Sequence, residues 1–296
     1  MKKILKLKKE KNAIILAHNY QRPEIQDIAD YLGDSLGLSL HASETDAKII
    51  VFCGVTFMAE TAAILNPDKT VLIPDRNALC PLAGMLPAEL ARMYREKHPE
   101  ANMVLYVNTL AEAKAECDAV CTSANSVETV NRMKSDTVLF GPDANLAKYT
   151  EKFTAKHLIP VPRSGFCPVH KLFSKDDVLE LKKRYPEAEV LVHPECDPEV
   201  CDIADLVGST AKMSDWVKKS NADKFIVATE IGMLHRLKKD REDAVYIPAY
   251  NQAVCVNMKM HTLEKLYLSL KKERYVVNVR PDIAAAARKA VDFMLK

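Results

Sequence analysis

Continuous apolar runs of five or six residues recur along the chain and alternate with stretches of helical period. Ala13-Ile14-Ile15-Leu16-Ala17 is the first, and it stops at His18-Asn19-Tyr20. A run of this kind, bounded by polar residues, predicts a strand buried on both faces, as in parallel sheets covered by helices. Pro23 then opens a helical pattern with Ile25, Ile28, Ala29 and Leu32 on one face, and Ser35 is placed to cap a second helix through about Thr45. Lys48–Phe52 and Thr70–Pro74 read as strands around a helix at Phe57–Leu65, and Cys80 follows in an irregular loop.

The same order occurs twice more. Met103–Asn108, Thr137–Phe140 and Leu158–Pro162 are the strands of a second unit, and Val190–Glu195, Phe225–Glu230 and Val245–Pro248 those of a third. Short stretches at Asp30–Gly33, Asp118–Ser123 and Ala204–Thr210 count as a further strand in each. Tyr106 lies 88 residues after His18, and His193 lies 87 after Tyr106. Helices at Glu89–His98, Asp176–Tyr185 and Leu263–Glu273 link or follow the units, and Ile283–Leu295 predicts a last helix packing back on the first unit. The expected fold is therefore α/β: three pseudo-threefold-related α/β/α domains, each with a small parallel sheet, around a central site. The domains are 1–83, 84–170 and 171–271, with 272–296 packing on the first. A period near 87 is too long for a solenoid, and a rotation that closes gives a ring.

Composition narrows the function. With 42 basic and 40 acidic residues, the chain offers no reason to expect nucleic acid or an anionic membrane as partner. No apolar run reaches the length of a membrane span, and the Lys-rich start lacks the apolar core of a signal peptide; the expected location is the cytoplasm. Eight cysteines in such a chain point to buried thiols, metal ligands or reactive groups rather than disulfides.

Three of them keep the repeat. Cys80 and Cys167 are 87 residues apart, and Cys167 and Cys255 are 88, each in an equivalent loop. Three converging thiolates suit zinc or an iron–sulfur cluster. No repeat-related histidine supplies a fourth ligand for structural zinc, and a 4Fe–4S cluster on three cysteines keeps one iron open as a Lewis acid. Polar residues directly after the strands, namely His18, Asn19 and Tyr20, then Tyr106 and Asn108, then His193 and Glu195, stand where parallel sheets bind ligands. Ser35, Ser123 and Ser209-Thr210 open helices. Plain capping explains each singly; brought together they make an anion pocket. No P-loop or G-x-G-x-x-G turn points to a nucleotide. Cys117, Cys121, Cys196 and Cys201 read as structural or mildly redox-sensitive thiols, the structural reading being favoured.

These residues resemble the quinolinate synthase family. The likeness runs through His18-Asn19-Tyr20-Gln21, Gly33-Asp34-Ser35, Tyr106-Val107-Asn108, Cys167-Pro168-Val169-His170, His193-Pro194-Glu195-Cys196, Thr229-Glu230-Ile231-Gly232-Met233 and Ala253-Val254-Cys255-Val256-Asn257-Met258-Lys259. It implies a cytoplasmic transferase of NAD biosynthesis that condenses iminoaspartate with dihydroxyacetone phosphate to quinolinate, releasing phosphate and water. L-aspartate oxidase or aspartate dehydrogenase is the implied functional partner. Carried over, Cys80, Cys167 and Cys255 bind a 4Fe–4S cluster. Ser35, Ser123 and Thr210, with His18 and His193, hold phosphate or carboxylate groups, and Tyr20, Tyr106 and Asn108 line the site. Glu195 is the implied general base, with Tyr20 and His170 assisting. Cys201 is an addition to the family pattern. Other enzymes that gather one cysteine from each of three units, and a non-enzymatic electron carrier or iron sensor, are the alternatives.

Overall fold

The computed structural model describes residues 1–295. Among the described residues, twelve strands form three four-stranded sheets, all parallel: β1 (Ala13–His18), β2 (Tyr31–Gly33), β3 (Ile49–Cys53) and β4 (Thr70–Leu72) in the first; β5 (Asn102–Tyr106), β6 (Ala119–Cys121), β7 (Thr137–Gly141) and β8 (His157–Pro160) in the second; β9 (Glu189–Val192), β10 (Leu206–Val207), β11 (Lys224–Ala228) and β12 (Val245–Pro248) in the third. Each sheet runs in the order second, first, third, fourth strand. The α/β class with three repeated sheets is as the apolar runs indicate.

Inside each run the side chains divide with period two. Leu16, Val104 and Leu191 of the three leading strands belong to one core shared by all three units. Their neighbours turn outward into separate clusters: Ile15 and Ala17 in the first unit, Met103 and Leu105 in the second, Val190 and Val192 in the third. The outer clusters are closed by helices Ala88–Lys97 through Ala91 in the second unit and Lys175–Arg184 through Val178 in the third. Helix Leu263–Lys272, which has no fourth unit behind it, covers the first sheet through Leu266 and Leu270, beside Ile4 of the helix Lys2–Glu10. The chain thus closes on itself.

The last helix, Pro281–Met294, packs on helix Thr56–Leu65 and also on β6 and helix Ala111–Lys114, bridging two units. Val276 adds only an isolated antiparallel bridge to Leu72.

A carboxylate repeats beside each leading strand. Asp30, Asp118 and Asp205 accept from the backbone N–H of Ile15, Met103 and Val190 at 2.8, 2.7 and 2.7 Å. Each also returns its own N–H to the same residue's carbonyl, a two-bond link that fixes where the edge strand starts beside the leading one.

The capping expectation for Ser35 is corrected. Asp34 is the cap, accepting from the N–H of Gly37 at 2.9 Å, and Ser35 is the first helical residue. A carboxylate also answers the positive end of the helix dipole, which a hydroxyl does less well. Ser123 does not cap either, since the helix begins at Ser126. Only Ser209 does, accepting from Lys212 at 3.3 Å.

Candidate active site

The strand ends of all three units open on one cavity. It receives His18, Tyr20 and Ser35 from the first unit, Tyr106, Asn108 and Ser123 from the second, and His193, Glu195 and Thr210 from the third. Cys80, Cys167, His170 and Cys255 line the same space. Of the residues singled out from the sequence, Asn19 and Ser209 do not line it.

The three cysteine loops are built alike. Each precedes a single helical turn, and the carbonyls of Cys80, Cys167 and Cys255 accept from Gly84, Lys171 and Lys259 respectively. The N–H groups of Leu82 and Ala83 point to the Cys80 sulfur, that of His170 to Cys167, and those of Met258 and Asn257 to Cys255. The preceding carbonyls of Ala78, Gly165 and Ala253 are held by the N–H of Thr56, Ala144 and Ile231. Burial pushes all three thiols up, Cys80 to about 12, and Cys255 beside Cys80 adds to it. Sulfurs so placed become thiolates together only around a cationic centre.

Cys167, His170 and Glu195 bring one ligand atom each within 4.8 Å of one another, and the three cysteines do not form such a close set. A single tetrahedral ion, with Zn–S bonds of about 2.3 Å, would require sulfurs closer than about 4 Å. Three sulfurs lining one cavity, each with N–H groups aimed at it, are compatible with a metal cofactor larger than a single ion.

Beside the cysteines runs a chain of polar contacts across the units. Tyr20 Oη lies 2.5 Å from Thr229 Oγ1, which lies 2.9 Å from His170 Nε2. His170 Nδ1 is 2.8 Å from Glu195 Oε2, off the direction of a well-aligned hydrogen bond. His193 stacks on His170 with ring centroids 4.6 Å apart, and its Nδ1 lies 3.3 Å from the same carboxylate oxygen. Asn108 donates to Glu195 Oε1 at 3.3 Å.

The charges follow from this packing. Burial, with Glu195 nearby, raises Tyr20 and Tyr106 well above the ordinary phenol, so both remain neutral donors. Burial, with His193 nearby, lowers His18 to about 3, and burial also lowers His193. His18 Nδ1 accepts from the N–H of Tyr20 at 3.1 Å, which leaves the ring proton on Nε2. Burial works against ionising Glu195, but His170 and His193 more than reverse it and hold the carboxyl below its usual range.

The family model for quinolinate synthetase A protein matches residues 2–296. The chain belongs to the quinolinate synthetase A family. It is 57% identical over 294 residues to a quinolinate synthase of Methanothermobacter thermautotrophicus, covering 99% of this chain and 96% of the relative. A quinolinate synthase of Methanocaldococcus jannaschii is 51% identical over 301 residues, covering 100% of this chain and 98% of the relative. One from Thermotoga maritima is 50% identical over 288 residues, covering 97% and 96%.

Within this member of the family, Thr229, Glu230 and Lys259 were not singled out as site residues from the sequence. Glu230 is buried, accepts from the N–H of Cys255 at 3.0 Å and of Gly232 at 2.7 Å, and pairs with Lys259 at 3.0 Å. Lys259 also donates to the Tyr20 carbonyl, tying a cysteine loop to the loop of Tyr20. Asn19 donates to Thr210 Oγ1 at 2.8 Å, so the Thr210 proton is free for the cavity. The signal that pointed to these residues was present in the Thr229-Glu230-Ile231-Gly232-Met233 motif, which carried no role of its own.

Proposed function

We propose that the chain is a transferase of NAD biosynthesis that condenses iminoaspartate with dihydroxyacetone phosphate to quinolinate, with release of phosphate and water. The observation that carries this reading is that one cavity gathers a cysteine loop and a set of proton-transferring side chains from every unit. Unit boundaries at 1–83, 84–170 and 171–271, a cytoplasmic setting, and supply of the imine by L-aspartate oxidase or aspartate dehydrogenase are parts of the same proposal.

Cys80, Cys167 and Cys255 would hold a 4Fe–4S cluster. When bound, it supplies one iron without a protein ligand, a Lewis acid suited to the loss of a hydroxyl. The hydroxyls of Ser35, Ser123 and Thr210 and the Nε2–H of His18 are donors for phosphate or carboxylate oxygens, and His193 adds another ring nitrogen. Tyr106 and Asn108 wall the substrate, and Asn108 keeps Glu195 oriented.

Glu195, ionised, is the proton acceptor. Tyr20 is a neutral phenol that gives a proton and recovers it through Thr229 and His170: with the His170 proton on Nε2, that nitrogen donates to Thr229 and Thr229 to the Tyr20 oxygen, while the bare Nδ1 faces Glu195 and takes the proton that Glu195 has accepted. Group-to-group distances within hydrogen-bond reach are what general acid–base steps require. A carrier of electrons has no use for such a set, which favours the enzymatic reading over a sensor or carrier.

Anaerobic purification tests it. The expected protein is brown, carries about four iron and about four sulfide per chain, and forms quinolinate from both substrates. A colourless zinc-loaded protein would remove the cluster from the proposal. Glu195→Gln should lower kcat by about 10²–10⁴-fold with cluster absorption kept; full activity would exclude Glu195 as the acceptor.

A further inference from the structure

Behind each loop that presents a polar side chain to the cavity lies one buried group reaching back from the following helix. In the first unit Gln26 Nε2 donates to the carbonyls of Asn19 and Gln21, both at 2.9 Å. In the second, Lys114 Nζ donates to the carbonyl of Val107 at 2.9 Å and to that of Thr109. In the third, Cys201 Sγ lies 3.8 Å from the carbonyl of Cys196 and 4.0 Å from that of His193.

These groups obey the repeat. Lys114 follows Gln26 by 88 residues, and Cys201 follows Lys114 by 87. Val107 follows Asn19, and Thr109 follows Gln21, by 88 each. In the first two units the two carbonyls bracket the one residue that enters the cavity, Tyr20 or Asn108; in the third they bracket Pro194 and Glu195, because the His193 carbonyl stands one position before the repeat equivalent of Val107.

We infer that Gln26, Lys114 and Cys201 are one positioning device in three chemistries, each holding the loop that aims Tyr20, Asn108 or Glu195 at the cavity. The carbonyls at these strand ends have left the sheet ladder; those of Val107 and His193 also accept from the N–H of Thr109 and Cys196, whereas those of Asn19, Thr109 and Cys196 meet their donor in the anchoring side chain, and a buried carbonyl needs one. A neutral amide meets that need in the first unit. The second unit uses a fully buried ammonium, which is costly to desolvate but makes charge-assisted bonds about twice as strong as neutral ones. The third uses a thiol, a weak donor. Of the three anchors, that of the Asn108 loop is therefore the strongest and that of the Glu195 loop the weakest, although Lys259 also holds the Tyr20 carbonyl and Asn145 that of Glu195. Cys201, an addition to the family pattern, has a place as the third anchor.

This inference rests on reading Asn108 and Glu195 as active-site groups, and its test is separable from that reading. The holoprotein is compared as wild type, Lys114→Met, Lys114→Gln, Cys201→Ala and Cys201→Ser, by amide hydrogen exchange and by turnover. Lys114→Met should speed exchange at Asn108 and Thr109 about tenfold or more. It should also lower kcat about tenfold while KM stays within about threefold, cluster absorption being unchanged. Lys114→Gln, which gives the second unit the anchor of the first, should stay within about threefold of wild type in both. Cys201→Ala should speed exchange at Glu195 and Cys196, and Cys201→Ser should not.

Wild-type exchange in Lys114→Met, or equal damage in Lys114→Gln, would overturn the inference. If Lys114→Met does not fold, Cys201→Ala decides, because it removes only a weak donor: unchanged exchange at Glu195 and Cys196 overturns the inference, and faster exchange supports it. A wild-type protein that makes no quinolinate would sink the proposed reaction and leave the exchange result standing.

Discussion

Thr229 has one hydroxyl and serves two residues from two other units, Tyr20 and His170. A hydroxyl can accept from one and donate to the other, and no other common side chain of that size does both except serine. Thr229→Val keeps the shape and breaks the link, so kcat should fall by about 10²-fold or more, with cluster absorption and melting temperature near wild type; Thr229→Ser should recover most of the loss. Steady-state kinetics beside an absorption spectrum checks this, and a fully active Thr229→Val would show that Tyr20 and His170 act independently. Thr229 was not legible as a site residue because repeat reasoning finds groups that recur. Its counterparts are Gly54 and Pro142, and neither carries a side-chain donor. Glu230 has Asp143 and Val55 as counterparts, again a broken pattern. Cys80, Cys167 and Cys255, by contrast, were legible because three identical thiols stood in three identical places.

At the scale of elements, the parallel sheets were readable from their apolar runs, since strands covered on both faces leave no polar alternation to obscure them. The two-residue strand Leu206–Val207 and the four-residue helix Ala111–Lys114 are too short to show any period; they exist because tertiary partners hold them. The aspartates at Asp30, Asp118 and Asp205 are among those partners, each accepting the N–H of a residue in the leading strand. Replacing any one by alanine orphans a strand N–H and should cost about 1–3 kcal/mol in urea unfolding. Because the geometry recurs and the sites are far apart, the three losses should be similar and should add. A loss confined to one of the three would show that the repeated bond is not what sets the register.

For the whole molecule, the near-constant spacing made the threefold plan and the common cavity readable, because closing a ring of equal units leaves their strand ends facing inward. What the spacing does not encode is how the units lock together, since those contacts join unlike residues. His261 is one such lock: it follows the third cysteine loop, is fully buried, and its Nε2–H donates to the Gly54 carbonyl of the first unit at 2.6 Å. Its Nδ1 has no partner. A proton there would be a buried charge without an acceptor, and burial accordingly lowers the group from 6.5 to about 4. Of the charged groups that face it, Asp75 favours protonation and Lys265 opposes it, and these two are paired at 2.5 Å. Below pH 6.5 the unfolded chain binds this proton while the folded chain resists it until about pH 4. Stability contributed by neutral His261 is therefore complete above about 6.5, falls as pH drops toward 4, and changes no further below that. The loss across the window is about 3 kcal/mol. His261→Gln retains a donor for Gly54 and has nothing to titrate. Urea midpoints of the two proteins should run parallel above pH 7 and diverge below 6, with wild type losing more. Parallel curves from pH 7 to 4 would mean that His261 accepts its proton at an ordinary pH and that the contact with Gly54 opens to admit it.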